Sequence, residues 1–143
     1  MEYVYRARIE TDPEGGFLVT FPDVPEAITS GNTTEEARAN AVEALGLALR
    51  GIVAMDRRLP QPVAGSTALV PIAVDPATAL KLAVIDAFRD SGLTKSELAR
   101  RIGRAENEAR RILDPDHPSK LPLLRAALSA FGKDIVVSVR DAA

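Results

Sequence analysis

The sequence predicts an α+β protein of two domains, in which a small sheet with one helix precedes an all-α unit. Short β-rich runs occur in the first 74 residues, and from residue 75 onward apolar residues recur at helical spacing. The charge changes at the same point. Residues 1–75 hold 6 Lys or Arg against 11 Asp or Glu, a balance of −5, whereas residues 76–143 hold 12 against 9, a balance of +3. We therefore predict one domain over residues 1–74 and another over residues 75–143.

The front domain begins with a predicted hairpin. Apolar and polar residues alternate over residues 3–9, and residues 17–21 are typical of a return strand after the turn-forming residues 12–16. Short strands over residues 27–30 and 68–74 complete the sheet. Pro71 lacks the N–H that a ladder needs, so the last strand is predicted to lie at an edge or to hold a bulge.

A long helix is predicted between the third and fourth strands. Thr33 and Glu36 have the spacing of a capping box, in which a hydroxyl and a carboxylate each accept a hydrogen bond from a backbone N–H. The apolar face is rich in alanine, which allows close packing on a sheet. It consists of Ala37, Ala41, Leu45, Ala48 and Ile52.

The rear domain is predicted to contain four helices and a final strand. Asp75-Pro76 begins the first helix as a cap followed by proline, and Gly92 ends it. The fourth helix spans residues 121–131, and a strand over residues 135–139 closes the chain.

Between these elements lies the pattern of a helix-turn-helix, whose second helix enters the major groove of DNA. Thr94 and Glu97 form a second capping box that opens a helix over residues 95–102, Gly103 supplies the turn, and residues 105–113 form the candidate recognition helix. The alternative is an ordinary helical hairpin with a solvated charged face.

The expected DNA contacts divide by chemistry. Arginine matches the two acceptors of guanine and asparagine matches adenine, whereas helix-start groups suit phosphate oxygens. The candidate base-contacting side chains are Arg104, Glu106, Asn107, Arg110 and Arg111, and the candidate phosphate contacts are Thr94, Lys95 and Ser96.

One such unit contacts only a few base pairs, so we expect a homodimer, with a tetramer as a further option. The unpaired edge of the final strand is the candidate dimerisation surface. Its residues are Ile135, Val137 and Val139.

The front domain lacks the marks of an enzyme, and we predict none. A Mg²⁺ site would need carboxylates on rigid elements, but the candidate acids lie mostly in turns or at a helix start. His117 is the only histidine and lies in a proline-flanked loop, which does not suit a Ser-His-Asp triad.

Composition excludes other classes of site. The chain has no cysteine, so disulfides and thiolate metal sites are excluded, and no metal or cofactor is implied. No apolar run reaches membrane-spanning length, and the N-terminus lacks a basic region and an apolar stretch. We expect a cytoplasmic protein without a membrane partner.

Segments from both halves resemble the HicB antitoxin family. In front, the similar segments are GGFLVTFPDVP over residues 15–25 and TSGNTTEEARANAVEAL over residues 29–45. Behind, they are LKLA at residues 80–83, SELARRIG at residues 96–103 and RRILDPDHPSKL at residues 110–121.

There are two departures from the family pattern. Pro25-Glu26-Ala27 stands where the family often has Pro-Gly-Cys, which leaves the local turn open. Ala105 stands where a capping Ser or Thr is common, which leaves the start of the recognition helix open.

The resemblance implies a partial RNase H-like front domain without nuclease residues, which masks a HicA-like mRNA-cleaving toxin. It further implies that the helix-turn-helix domain represses its own operon by binding operator DNA. An acidic front domain would attract a basic toxin. The candidate toxin contacts are Asp12, Glu14, Phe17, Phe21, Asp23 and Glu26. The alternative for Phe17 and Phe21 is a place in the core. The rival interpretation is a stand-alone helix-turn-helix transcriptional regulator whose N-terminal domain senses a small ligand.

Overall fold

The computed structural model describes residues 1–142 as a mixed α+β protein, with a four-stranded antiparallel sheet and five helices in that range. The elements in chain order are β1 (Val4–Thr11), β2 (Phe17–Thr20), β3 (Ile28–Gly31), α1 (Thr34–Ala54), β4 (Val70–Ala73), α2 (Pro76–Ser91), α3 (Lys95–Ile102), α4 (Glu106–Ile112) and α5 (Leu121–Ala130). The chain divides into two compact units. The first comprises Met1–Ile52 and Leu59–Asp75, and the second comprises Val53–Arg58 and Pro76–Ala142.

The sheet has the strand order β3-β2-β1-β4, with every neighbouring pair antiparallel. The predicted hairpin of β1 and β2 is confirmed, with Arg8 opposite Thr20 and Thr11 opposite Phe17. β4 lies at one edge, where Pro71 faces Arg6. The edge position predicted from Pro71 is therefore confirmed, since proline cannot donate to a second neighbour.

The start of α1 lies against the end of β3. A Cβ atom at Gly31 would lie 2.4 Å from the backbone nitrogen of Ala37, so no larger residue fits without moving the helix. Asn40 Nδ2 donates to the Ser30 carbonyl at 2.8 Å, and the Thr33 hydroxyl accepts from the Glu36 N–H at 3.1 Å, as its capping role predicts.

Alternating residues of the sheet and one face of α1 form the core of the first unit. Tyr5, Ala7 and Val19 are fully buried on the sheet. On α1 the buried residues are Ala37, Ala41, Leu45, Leu49 and Ile52. Leu49 replaces Ala48 in the predicted face, because Ala48 is only half-buried.

Residues from all four helices of the second unit form its core. Val84 of α2, Leu98 of α3, Ile112 of α4 and Ala127 of α5 are fully buried in one cluster. The strand predicted over residues 135–139 is absent from the part of the chain that the structure describes. Val136, Val137 and Val139 are 88%, 82% and 92% exposed there. β-Branched residues favour a strand, but a strand also needs a hydrogen-bonding neighbour.

Across residues 1–142, no helix combines the length and the apolar character that crossing a bilayer requires.

Candidate functional site

The helix α3 is capped by its own sequence at both ends. The Thr94 hydroxyl accepts from the Glu97 N–H at 3.1 Å, and the Glu97 carboxylate accepts from the Thr94 N–H at 3.3 Å. Gly103 ends the helix in the left-handed conformation, with φ 68° and ψ 35°, which glycine adopts without a Cβ clash. The predicted capping box and glycine turn are both confirmed.

The helix α4 separates a buried side from an exposed one. Ala109 and Ile112 are fully buried in the core of the second unit. Predicted contact residues on and beside the helix are exposed, namely Arg104, Glu106, Asn107, Arg110 and Arg111. The helix begins after Ala105, whose backbone has the extended cap conformation but whose side chain makes no cap hydrogen bond.

Glu106 joins two of the other predicted contact residues. Its carboxylate accepts from the Ser96 hydroxyl and from the Arg110 guanidinium, each at 3.0 Å. These hydrogen bonds, first that of Arg110 and then that of Ser96, hold the pKa of the Glu106 carboxyl below its usual range. Residues at the start of α3 and on the outer face of α4 are thus tied together.

The other predicted contact residues also lie at the surface formed by the start of α3 and the outer face of α4. Thr94 and Lys95 are exposed at the start of α3. Lys95 and Arg110 both line one open cleft of about 410 Å³. Arg104 forms a weaker ion pair, 3.6 Å from Glu108. The cluster therefore presents an exposed guanidinium, ammonium, amide and hydroxyl, which are the groups that phosphates and base edges accept from.

A buried lysine that the sequence prediction missed supports the end of α4. Lys81 of α2 is 3% exposed. Its Nζ donates to the Arg111 carbonyl at 3.0 Å, the Ile112 carbonyl at 2.9 Å and the Ser119 hydroxyl at 2.6 Å.

The acidic residues of the front unit have local structural contacts. The Asp12 carboxylate accepts from the Glu14 N–H at 3.0 Å within the hairpin turn, and Glu14 itself is exposed. The Asp23 carboxylate accepts from the Ala64 N–H at 2.8 Å and so fixes the chain near residue 64. Within residues 1–142, no group of three or more acidic or histidine side chains is arranged to hold a metal ion.

The predicted partner-contacting residues differ in exposure. Glu26 is exposed and Phe17 is half-buried. Phe21 is only 2% exposed, which corrects the expectation that its ring faces a partner. The ring is core because Phe21 lies two residues after the fully buried Val19 and so continues the core face of β2. The chain turns back just after it, and the Val24 N–H donates to the Phe21 carbonyl at 3.1 Å. The turn left open at Pro25-Glu26-Ala27 closes through the Ala27 N–H on the Val24 carbonyl at 2.9 Å.

The outer face of the sheet carries apolar residues that the sequence prediction did not single out. Ile28 is paired with Thr20 across β2 and β3, and Leu18 lies two residues before Thr20, so these side chains share one face. Ile28 is 62% exposed and Leu18 is 36% exposed. The period-two alternation around buried Val19 was the available signal.

The candidate dimerisation residues fall into two groups. Ile135 is half-buried and packs against the core of the second unit. Val137 and Val139 are exposed. Val137 and Val139 are thus more accessible to a second copy than Ile135.

Comparisons with known proteins agree on one family. The family model that describes HicB-like antitoxins of bacterial toxin–antitoxin systems matches residues 4–83. "Antitoxin HicB 1" of Photorhabdus laumondii subsp. laumondii is 38% identical over 137 residues, which cover 94% of this chain and 86% of that protein. "Antitoxin HicB" of Escherichia coli strain K12 is 34% identical over 131 residues, with 92% and 95% covered. "Antitoxin HicB" of Pseudomonas fluorescens is 34% identical over 142 residues, with 98% and 96% covered.

Proposed function

The chain belongs to the HicB-like antitoxins of bacterial toxin–antitoxin systems, and from this premise we propose that it masks a HicA-like mRNA-cleaving toxin and represses its own operon. Family membership makes the chain an antitoxin with a toxin partner, and not an enzyme. Both proposed partners, operator DNA and the toxin, are cytoplasmic, so we propose that it acts in the cytoplasm.

The proposal for DNA depends on one observation, the exposed polar face of α4 opposite its buried Ala109 and Ile112. A recognition helix must bury one side in its own domain and offer polar groups on the other. Asn107 and Arg110 lie on the exposed side, and Lys95 and Ser96 begin the preceding helix. We therefore assign α3 and α4 to a helix-turn-helix, with base contacts from α4 and phosphate contacts from the start of α3.

The proposal for toxin masking depends on the acidic front domain. The balance of −5 over residues 1–75 would attract a basic RNA-binding partner and speed its association. Leu18 and Ile28 give the outer sheet face exposed apolar area beyond the acidic turn around Glu14. A toxin bound to this surface could not bind RNA, and the antitoxin would catalyse no reaction. The antiparallel strands β1, β2 and β3, followed by α1, support a partial RNase H-like fold.

Operator binding further implies a symmetric dimer, because two half-sites supply affinity that one unit lacks. Val137 and Val139 are exposed and β-branched, so we assign them to the contact between copies.

The test separates the two surfaces with one variant each. Arg110→Ala should weaken binding to duplex DNA from the region upstream of the gene roughly tenfold or more, because a bidentate guanine contact contributes about 1–3 kcal/mol. Ile28→Glu should weaken toxin binding, because it places a charge in an apolar contact. Each variant should retain the other activity. Binding is measured by fluorescence anisotropy with labelled DNA, and neutralisation by growth on co-expression with the neighbouring toxin gene.

Arg125→Ala is the matched control, because Arg125 is exposed on α5 and outside both surfaces. It should leave both activities unchanged. Equal loss of both activities in the Arg110 and Ile28 variants would contradict separable surfaces.

A further inference from the structure

Lys81 is the one charged side chain that is buried in the described part of the chain. Buried cations ordinarily pair with a carboxylate. The Lys81 ammonium instead donates to two backbone carbonyls, those of Arg111 and Ile112, and to the Ser119 hydroxyl. Its three N–H donors therefore converge on the C-terminal end of α4 and the loop that follows it.

The C-terminal end of α4 is only partly satisfied by its own backbone, in which the Asp114 N–H donates to the Arg111 carbonyl at 3.2 Å. The last carbonyls of any helix lack partners within the helix, and they form the negative end of its dipole. A glycine in the left-handed conformation, Gly103, caps the C-terminal end of α3. The corresponding residue of α4 is Leu113, which has φ −87° and ψ −1° and does not provide that cap. A cation at this end satisfies the carbonyls and opposes the dipole at the same time.

The other end of α4 is equally dependent on its surroundings. Ala105 makes no side-chain cap hydrogen bond there. The helix has only 7 residues, and helices this short are unstable in isolation. The helix with the exposed polar face therefore has neither a side-chain cap at its start nor a left-handed glycine at its end.

We propose that Lys81 is a positioning residue that fixes α4 from α2 and thereby sets where the DNA-contacting side chains of α4 lie. The functional consequence rests on the proposed operator binding. The three hydrogen bonds from Lys81 to Arg111, Ile112 and Ser119, called the Lys81 clamp below, are a property of the fold itself. Arg111 is both a predicted base contact and one of the residues whose carbonyl Lys81 binds.

The charge state of the clamp suits this role at neutral pH. Burial lowers the pKa of Lys81 to about 8, while the nearby Asp114 carboxylate opposes that shift. The ammonium thus remains mostly protonated at pH 7, and all three donors are present.

The first test is amide hydrogen exchange of the full chain at pH 7. Lys81→Met keeps the length of the stem and removes the ammonium. We expect faster exchange for the amides of α4 by roughly tenfold or more, because the buried ammonium no longer donates to the Ile112 carbonyl and the Arg111 carbonyl keeps only backbone donors such as the Asp114 N–H. The amides of α3 should exchange as in the wild type, since α3 holds its own caps. Lys133→Met removes an exposed lysine and should change neither helix.

Two further variants distinguish a specific clamp from general packing. Lys81→Arg, which keeps a cationic donor, should restore α4 protection. Ser119→Ala should loosen α4 slightly in the wild type and have no further effect in the Lys81→Met background, because both changes remove the same interaction. Unchanged exchange in α4 of a folded Lys81→Met variant, or additive effects of the two substitutions, would overturn the proposal.

The second test is binding to duplex DNA from the region upstream of the gene. Lys81→Met should bind roughly tenfold more weakly, with Lys81→Arg close to the wild type. If the wild type binds no such DNA, the proposed function fails while the exchange experiment still decides the clamp. If α4 loosens and DNA affinity is unchanged, the clamp does not position the contacts and the proposal fails.

Discussion

Burial of the Lys81 ammonium costs free energy that its hydrogen bonds only partly offset, because its pKa falls from 10.5 to about 8. The folded state therefore releases this proton at a lower pH than the unfolded state does. The cost is present in full below pH 8 and is relieved as the pH rises from 8 to 10.5. The contribution of Lys81 to the free energy of unfolding must rise with pH across that window.

We expect the difference in free energy of unfolding between wild type and Lys81→Met to shift by roughly 3 kcal/mol in favour of the wild type between pH 7 and pH 10.5. Urea unfolding of both proteins at several pH values measures it, and the titration of all other groups cancels in the difference. A difference that stayed constant with pH would show that Lys81 titrates alike in the folded and unfolded chains.

At the residue scale, the sequence also contained an indication that Lys81 is buried, which a search for exposed contact residues overlooks. Lys81 precedes Val84, Ile85 and Phe88 at the spacing of one helix face. A lysine in such an apolar row is either extended to the surface or held by buried acceptors, and only the folded chain shows which. Phe21 presents the converse case, since an aromatic residue next to a turn is compatible with both core and surface.

Among the elements, both ends of α3 were predicted correctly, whereas both ends of α4 were off by one residue. The two helices differ in whether residues close in sequence cap them. The bounds of α3 follow from Thr94, Glu97 and Gly103, all of which are local in sequence. The C-terminal end of α4 is held by a residue 30 or more positions away. The predicted final strand failed for a related reason, since a strand needs a hydrogen-bonding neighbour and residues 135–139 pair with none within residues 1–142.

The uncapped start of α4 gives a prediction at this scale. Ala105 already has the extended backbone of an N-cap, with φ −69° and ψ 154°. Ala105→Ser should therefore add a side-chain acceptor without changing the backbone and raise the free energy of unfolding by about 1 kcal/mol. Chemical denaturation measures the change. Ala105→Val is the control, because it enlarges the side chain without adding an acceptor and should bring no gain. A serine variant no more stable than the valine variant would mean that the hydroxyl does not cap α4.

For the whole molecule, the charge balance and the apolar periodicity of the sequence predict that the front half binds the toxin and that the rear half binds DNA. The acidic balance of the front residues and the mild basic balance of the rear follow from composition alone. The apolar face formed by Leu18 and Ile28 required the strand register, because both residues could have faced the core until Val19 was known to do so. Pairwise register depends on long-range hydrogen bonds, which composition does not contain.

The proposed assembly of two copies is the remaining prediction for the whole molecule, and changes in the C-terminal segment test it. Val137 and Val139 are exposed apolar residues in a segment that pairs with no strand within residues 1–142. A chain ending at Lys133 should be monomeric at concentrations where the full chain is dimeric, as measured by sedimentation equilibrium. Its affinity for the operator should fall roughly 100-fold, since two half-sites would no longer bind as one unit.

The loss of Ile135 complicates this truncation, because that residue packs against the core of the second unit. The double variant Val137→Asp and Val139→Asp keeps Ile135 and should also be monomeric, since its two negative charges would face each other across the interface between copies. Thermal unfolding of the double variant should match the wild type at low concentration. A truncated chain or a double variant that remained fully dimeric would assign dimerisation to another surface, and operator affinity would then depend on that surface instead.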